Sequence, residues 1–326
     1  MTAARAAAAC CVVALLLPGA RPLAQDAVQS LHVQGNVWMI HSPVANAAVQ
    51  IGDEGVLIVD TLTAPLADAL LAEVRRLAGN KPIRAIINTS WRPNHAGGNA
   101  RVAVAGRTII GGNAVAELGQ AAADRAQVYA HENVQLRMRQ RPAGEPEIPF
   151  DMWPSDTYIE GQKDLYFNGE GIELLHQPAA ATDGDTVVYF RKSDVVVTGE
   201  AYINTTFPNL SVAEGGTLNG IVKALNVVLR ITIPKEKQEG GTYVIPGQGR
   251  LVDEADVVEY RDMMTIIRDR IADAIRRGQT LEQVKAARLL RDYEGRYGPA
   301  AGGTTAFIEA AYRSLTPVAA TATRSK

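Results

Sequence analysis

Short runs of alternating and continuous apolar residues open the chain after a polar start. Val37 to Ile40, Ala47 to Ile51 and Val56 to Val59 have strand character, separated by the turn pairs Ser42-Pro43 and Gly52-Asp53. The period then changes. Ala64 to Leu77 repeats its apolar residues at helical spacing, with Thr63 as candidate N-cap and Pro65 in the first turn, and Ile83 to Ile87 follows as a buried strand. Thr108 to Ile110 reads as a further strand and Asn113 to Ala122 as a helix. Arg139 to Pro154, rich in Pro, Gly and Glu, reads as a long loop lying over the face where a site would be. A second β-rich half contains Ile172 to His176, Thr186 to Phe190, Val195 to Thr198 and Tyr243 to Ile245, with an amphipathic helix from Thr217 to Leu229. The pattern is again helical from Val257 to Arg277 and from Leu281 to Leu290, the latter capped by Thr280, and Thr316 to Lys326 is expected to be disordered. Strands followed by helices, twice over, predict an α/β layer arrangement.

Composition narrows the partners. The 326 residues include 47% hydrophobic positions, enough for one large domain, and a formal net charge of −2 from 33 basic and 35 acidic residues. Such mixed charge generates no field to recruit nucleic acid. Arg5, the apolar run Ala6 to Leu17 and the break at Pro18-Gly19 have the layout of a secretory signal, predicting a periplasmic or secreted protein cleaved after Ala24. Membrane attachment would arise only through an uncleaved signal. Cys10 and Cys11 both fall inside this segment, so the mature chain offers neither a disulfide nor a thiolate ligand. The expected organisation is a signal over 1–24, a main domain over 25–250, a helical extension packed on it over 251–315 and a tail over 316–326.

Four motifs in order carry a family likeness. Directly after the strand Ile83 to Ile87, Asn88-Thr89-Ser90-Trp91-Arg92-Pro93-Asn94-His95-Ala96-Gly97-Gly98-Asn99 resembles the H-x-H-x-D-H signature of the metallo-β-lactamase superfamily. Pro178 to Asp185 is similar to its P-A-x-H-T-x-G-D motif, Val197-Thr198-Gly199-Glu200 to V-x-x-G-D, and Val244 to Gly249 to P-G-H-G; Gly52 to Asp60 resembles the early hairpin and Asp-ended strand. The resemblance implies an α/β (α+β) fold of four layers, an αβ/βα sandwich, with the site at one edge of two central sheets. In active members two zinc ions, or another metal pair, polarise the substrate and supply hydroxide.

The family's metal-ligand positions fall on Ser90, Arg92, Asn94, His95, Ala181, Glu200 and Gln248. Only His95 keeps the family residue, while Glu200 keeps a carboxylate on a longer arm. A serine hydroxyl is a poor zinc ligand and a guanidinium stays charged, so Arg92 places a cation where a cation should bind. One imidazole and one carboxylate do not fill a zinc site. No bound cofactor is therefore expected. His41, His131 and His176 are replacement ligands on paper, although an ordinary hydrogen-bonded histidine accounts for each; His32, near the start of the domain, is expected to be exposed. Gly97, Gly98, Gly184, Gly199, Pro246 and Gly247 remain at the family's turn positions, expected to supply positive φ angles and close backbone approach. Without dications, Asp183, Asp185 and Glu200 need a partner, and the expected one is Arg92, paired with Glu200 or alternatively with Asp183.

Three functional readings follow. The first is an exported pseudoenzyme that binds a small molecule or a protein through a pocket containing Trp91, Arg92, Trp153, Asp183 and Asn204, with Tyr158 on the adjoining loop. The second is a hydrolase of the β-lactam, lactone, thioester or phosphoester class, using a remodelled zinc site or Asp183 or Glu200 as base. The third is a structural subunit in a homo-oligomer, or paired with a metal-competent relative, with the helices Leu218 to Leu229 and Val257 to Ile275 as candidate interfaces.

Overall fold

The structure is a computed structural model and describes residues 28–108, 125–298 and 303–317. The segment 1–24, the expected helix Asn113 to Ala122, most of the expected strand Thr108 to Ile110 and nearly all of the expected tail lie outside the described residues.

Two sheets face each other. The first has the strand order β1 (Gln29–Gln34), β2 (Val37–His41), β3 (Asn46–Ile51), β4 (Val56–Val59), β5 (Ile83–Ile87), β6 (Gln127–His131), β7 (Asp156–Tyr158). It is antiparallel from β1 to β4 and parallel from β4 to β7. The second runs β12 (Tyr243–Ile245), β11 (Val195–Val197), β10 (Asp185–Phe190), β9 (Glu170–Gln177), β8 (Gln162–Phe167), antiparallel except for the β11–β12 pair.

Strand periodicity explains why the central strands are apolar on both sides. In β4, Leu57 and Val59 enter the core between the sheets, whereas Val56 and Ile58 face outward to a helical layer. The inner core joins Met39, Leu57 and Ile87 of the first sheet to Leu174, Val188 and Phe190 of the second. Helices α1 (Ala67–Ala78) and α3 (Asn99–Ala103) cover the first sheet, through Leu70, Leu71, Val74 and Val102. The second sheet is covered by α5 (Leu218–Ile231) and α6 (Glu254–Arg276), joined by α7 (Leu281–Ala286), α8 (Arg291–Tyr297) and α9 (Gly303–Leu315). Between α1 and α3 lies the one-turn α2 (Pro93–Ala96), and α4 (Glu132–Arg139) follows β6. The result is a four-layer αβ/βα sandwich.

Local sequence sets several boundaries. Thr217 caps α5 by accepting from the Gly220 amide, and Thr280 with Gln283 forms a capping box on α7. The helix expected over Leu281 to Leu290 stops at Ala286, because Arg288 adopts a left-handed φ of 48° and α8 starts anew. Thr63 precedes a single 3-10 turn, Ala64–Leu66, and makes no side-chain cap. The apolar faces of α5 and α6, expected as interfaces, are spent within the chain: Leu218, Ile221 and Leu225 share one core with Val257, Met264 and Ile267. Among the described residues no helix is long and apolar enough to cross a membrane.

The seat of α5 depends on Gly220, where an added Cβ would lie 1.6 Å from the Ala179 carbonyl oxygen. Gly220→Ala gains about 1 kcal/mol of helix propensity but collides with backbone. A net loss of about 1–3 kcal/mol is expected from such overpacking, read by chemical denaturation; a more stable variant would contradict this packing.

Candidate functional site

Five strand ends converge at one edge of the sandwich. Asp60 follows β4, Asn88 to Ser90 follow β5, Asp185 opens β10, Gly199 and Glu200 follow β11, and Pro246 and Gly247 follow β12. The edges are stitched together: the Thr186 amide donates to the Thr89 carbonyl at 2.9 Å, and the Asn46 side chain donates to the Pro246 and Gly249 carbonyls at 2.8 and 3.0 Å.

At the centre is His95, fully buried on the short α2. Its Nδ1–H donates to Asp60 Oδ2 at 2.7 Å and its Nε2–H to Glu200 Oε1 at 2.8 Å. Asp60 also accepts from the Thr89 amide at 2.8 Å and the Thr89 hydroxyl at 2.6 Å. Its left-handed φ of 64°, which aspartate tolerates better than most residues, belongs to a tight bend that continues through Leu62 at 59°. Glu200 receives two further donors, Arg92 Nη1 at 2.6 Å on Oε2 and Asn94 Nδ2 at 2.9 Å on Oε1. Arg92 thus pairs with Glu200. The two charged side chains are only 8% and 6% exposed.

The electrostatics follow from this enclosure. Burial by itself would lower the His95 pKa, but the charges and hydrogen bonds of Asp60 and Glu200 outweigh it and hold the imidazole up at about 10. For Glu200 burial pushes upward, yet the bond from His95, the Arg92 charge and the Asn94 amide hold the carboxyl down at about 2. Both histidine nitrogens therefore carry protons, and two cations face two anions. Asp185, held by the Thr182 amide and hydroxyl at 2.7 and 3.0 Å, is driven up to about 6, chiefly by burial.

The other expected site residues are not joined to this network. Asp183, expected as a candidate base, is bound by Arg137 through Nε at 3.1 Å and Nη2 at 2.6 Å. Gln248 turns away, donating to the Pro43 carbonyl at 2.8 Å and accepting from Thr205 at 3.1 Å. Asn204, expected in the pocket, exchanges hydrogen bonds with the Arg250 backbone at 2.9 and 3.2 Å. Ala181 is fully buried and contributes only a methyl group, and the buried Ser90 hydroxyl has no hydrogen-bond partner among the described residues. Trp153 donates to Ile148, and Trp91 packs below it with Met138. His41 donates to Asn46 at 2.9 Å. His131 and His176 stack face to face at 3.4 Å, bonded to the Ile159 and Asp183 carbonyls, and His32 is exposed.

The turn glycines divide by role. Gly199 has the positive φ, 52°; Gly97, Gly98 and Gly247 instead permit close approach, since an added Cβ would lie 2.3 Å from the Pro93, Thr61 and Gly199 carbonyl oxygens respectively. The role of Asp60 was not assigned from the sequence, where it was only the end of a strand. A buried carboxylate at a family motif 35 positions before the histidine was the available signal.

This donor set does not fit a zinc ion. Asp60 and Glu200 lie on opposite nitrogens of one imidazole, so the three groups share no common point, and the fourth neighbour is a guanidinium. Among the described residues no group of three or more His, Cys, Asp or Glu is arranged to hold a metal ion.

The network predicts two responses. Glu200→Gln leaves Arg92 and His95 without their shared anion and is expected to cost about 3–5 kcal/mol in urea denaturation; a loss below about 1 kcal/mol, the scale of a surface pair, would contradict the burial argument. Stability should also depend on pH. His95 is raised from 6.5 to about 10, so its contribution is complete below pH 6.5 and fades as pH rises through 10. Glu200 is lowered from 4.5 to about 2, so its contribution is complete above pH 4.5 and fades as pH falls through 2. Both are complete between pH 4.5 and 6.5, while Asp185, raised from 3.8 to about 6, adds a cost as pH climbs through that interval. Melting temperature is therefore expected to decline from pH 6.5 to 10, and less steeply in the Glu200→Gln variant.

Comparisons with known proteins agree with the geometry. The family model of the metallo-beta-lactamase superfamily matches residues 34–265. Among solved structures the chain is similar to the sec-alkylsulfatase Pisa1 from Pseudomonas sp., with a TM-score of 0.60 and 16% identity over 89% of this chain and 50% of that one. This chain thus spans half of the sulfatase. It is also similar to a metallo-beta-lactamase from Pontibacter korlensis, with a TM-score of 0.52 and 14% identity over 73% of this chain and 99% of that one. The DIM-1 metallo-beta-lactamase gives 0.51 and 15% over 73% and 97%. At these identities the structures speak for the fold alone. No curated protein matches the chain. A family match extending over well over half of the sequence, on a four-layer sandwich with the motifs gathered at one edge, shows that the chain belongs to the metallo-β-lactamase superfamily.

Proposed function

We propose that this protein is a metal-free binding member of the superfamily, a pseudoenzyme whose Arg92 and His95 provide the positive charge that metal ions provide in active members. One observation carries the reading: every charged group at the family's metal position is already neutralised within the chain. Arg92, Asn94 and His95 all donate to Glu200, and His95 is closed on its other side by Asp60. A metal would have to displace a guanidinium and take one proton from an imidazolium to free a ring nitrogen. The same proposal puts the domain in the periplasm or outside the cell, on the pattern of residues 5–19.

A hydrolase with a remodelled site is the second reading, favoured by the names of the similar structures, a metallo-beta-lactamase and an alkylsulfatase. It requires Glu200 or His95 to leave the bridge. Elemental analysis of the full chain purified without chelator and then supplied with zinc separates the two. Far less than one zinc per chain, an unchanged melting temperature with chelator, and no turnover of β-lactam, lactone, thioester, sulfate ester or phosphoester are expected. Stoichiometric zinc with chelator-sensitive turnover would overturn the pseudoenzyme.

A further inference from the structure

Beside the closed network, the loop after α4 encloses a different chemistry. A cavity of about 440 Å³ is lined by Met138, Arg139, Arg141, Ile148 and Trp153, with Glu145 and Glu147 at its exposed rim. That volume lies in the range of small-molecule sites. Its apolar floor continues into the core that holds Trp91, one residue from Arg92. Two guanidiniums are set against indoles here: Arg141 lies 4.4 Å from the centre of the Trp91 ring and Arg139 lies 5.7 Å from that of Trp153.

The hydrogen-bond inventory points to a ligand. Among the described residues, Arg141 Nε and Trp91 Nε1 are both enclosed and without an acceptor, and Trp91 is only 8% exposed. Enclosed donors left without acceptors are uncommon in native proteins. Arg139 has no ion-pair partner among the described residues, and Arg141 has only the 3.3 Å contact with Glu145, whose side chain is 53% exposed. Such an exposed pair contributes little and exchanges readily.

We propose that this cavity binds a planar aromatic carboxylate. The ring lies against Trp153, Met138 and Ile148, and the carboxylate takes the in-plane N–H edge of Arg141, which stacking on Trp91 holds in place, together with Arg139. Of the two exposed glutamates only Glu145 touches a guanidinium, at 3.3 Å, and an aromatic cation of equal size would meet both arginines. The inference rests on reading the domain as a binding protein and names its ligand class.

Isothermal titration of the full chain with 2-naphthoate, and with 2-naphthylmethylamine as the cation of similar shape, tests it. Saturable binding of one naphthoate per chain is expected, weakened about tenfold or more in Arg141→Gln and in Arg139→Gln, as the loss of a bidentate charged contact implies. Arg75→Gln, on α1, should bind as the parent does. No saturable heat, equal binding of the amine, or indifference to both arginine changes would overturn the inference. Metal analysis of the same sample keeps the outcomes apart: a metal-free protein that ignores naphthoate sinks this inference alone, whereas zinc with chelator-sensitive turnover sinks the pseudoenzyme.

Discussion

A protonated imidazole held between two carboxylates governs the edge of this sandwich. Asp60 extends from the first sheet and Glu200 from the second, so the His95 bridge joins the sheets as well as the charges. Each buried ion costs several kcal/mol of lost hydration, and that cost is offset only when every charge finds a close partner. Arg92 completes the balance with a 2.6 Å contact to Glu200. The surrounding turns make the approach possible. An added Cβ at Gly199 would lie 2.4 Å from the Thr89 hydroxyl that supports Asp60, so the residue before Glu200 can carry no side chain there.

The remaining acids are handled by separate means. Asp183 is drawn toward α4 by Arg137, and Asp185 stays among backbone and hydroxyl donors with no cation in direct contact among the described residues. A single guanidinium cannot serve three carboxylates, and the division between Arg92 and Arg137 leaves the first free to neutralise Glu200. Charge within this edge is therefore satisfied locally. Besides the Ser90 hydroxyl at the edge, unmatched donors lie farther out, where Trp91 and Arg141 meet the loop after α4, and it is there that a ligand would gain most.

Much of the fold was legible because buried strands and amphipathic helices announce themselves through periodicity. β2 through β5, β9 through β12 and α5 to α7 all lie where apolar spacing predicted them, with shifts of a few residues at some ends. The strands β1 and β8 were not legible. Each is an edge strand with most side chains exposed or half-buried, so neither shows the apolar run that marks an interior strand. β6 and α4 were missed for other reasons: Gln127–His131 is a short strand whose apolar run is only Val128 to Ala130, and Glu132–Arg139 has three apolar residues in eight.

At the site, the sequence by itself determined which side chains occupy the family's ligand positions, and hence that a guanidinium, an amide and an alanine stand there. Motif order and residue identity are properties of the chain, readable without coordinates. Only the tertiary structure decided where those groups point. Arg92 reaches a partner 108 positions away, Asp60 acquires its role from a histidine 35 positions on, and Gln248 rotates out to a loop carbonyl 205 positions back. The physical reason is that a buried charge takes the partner that is nearest in space, and that choice exists only once both sheets are folded.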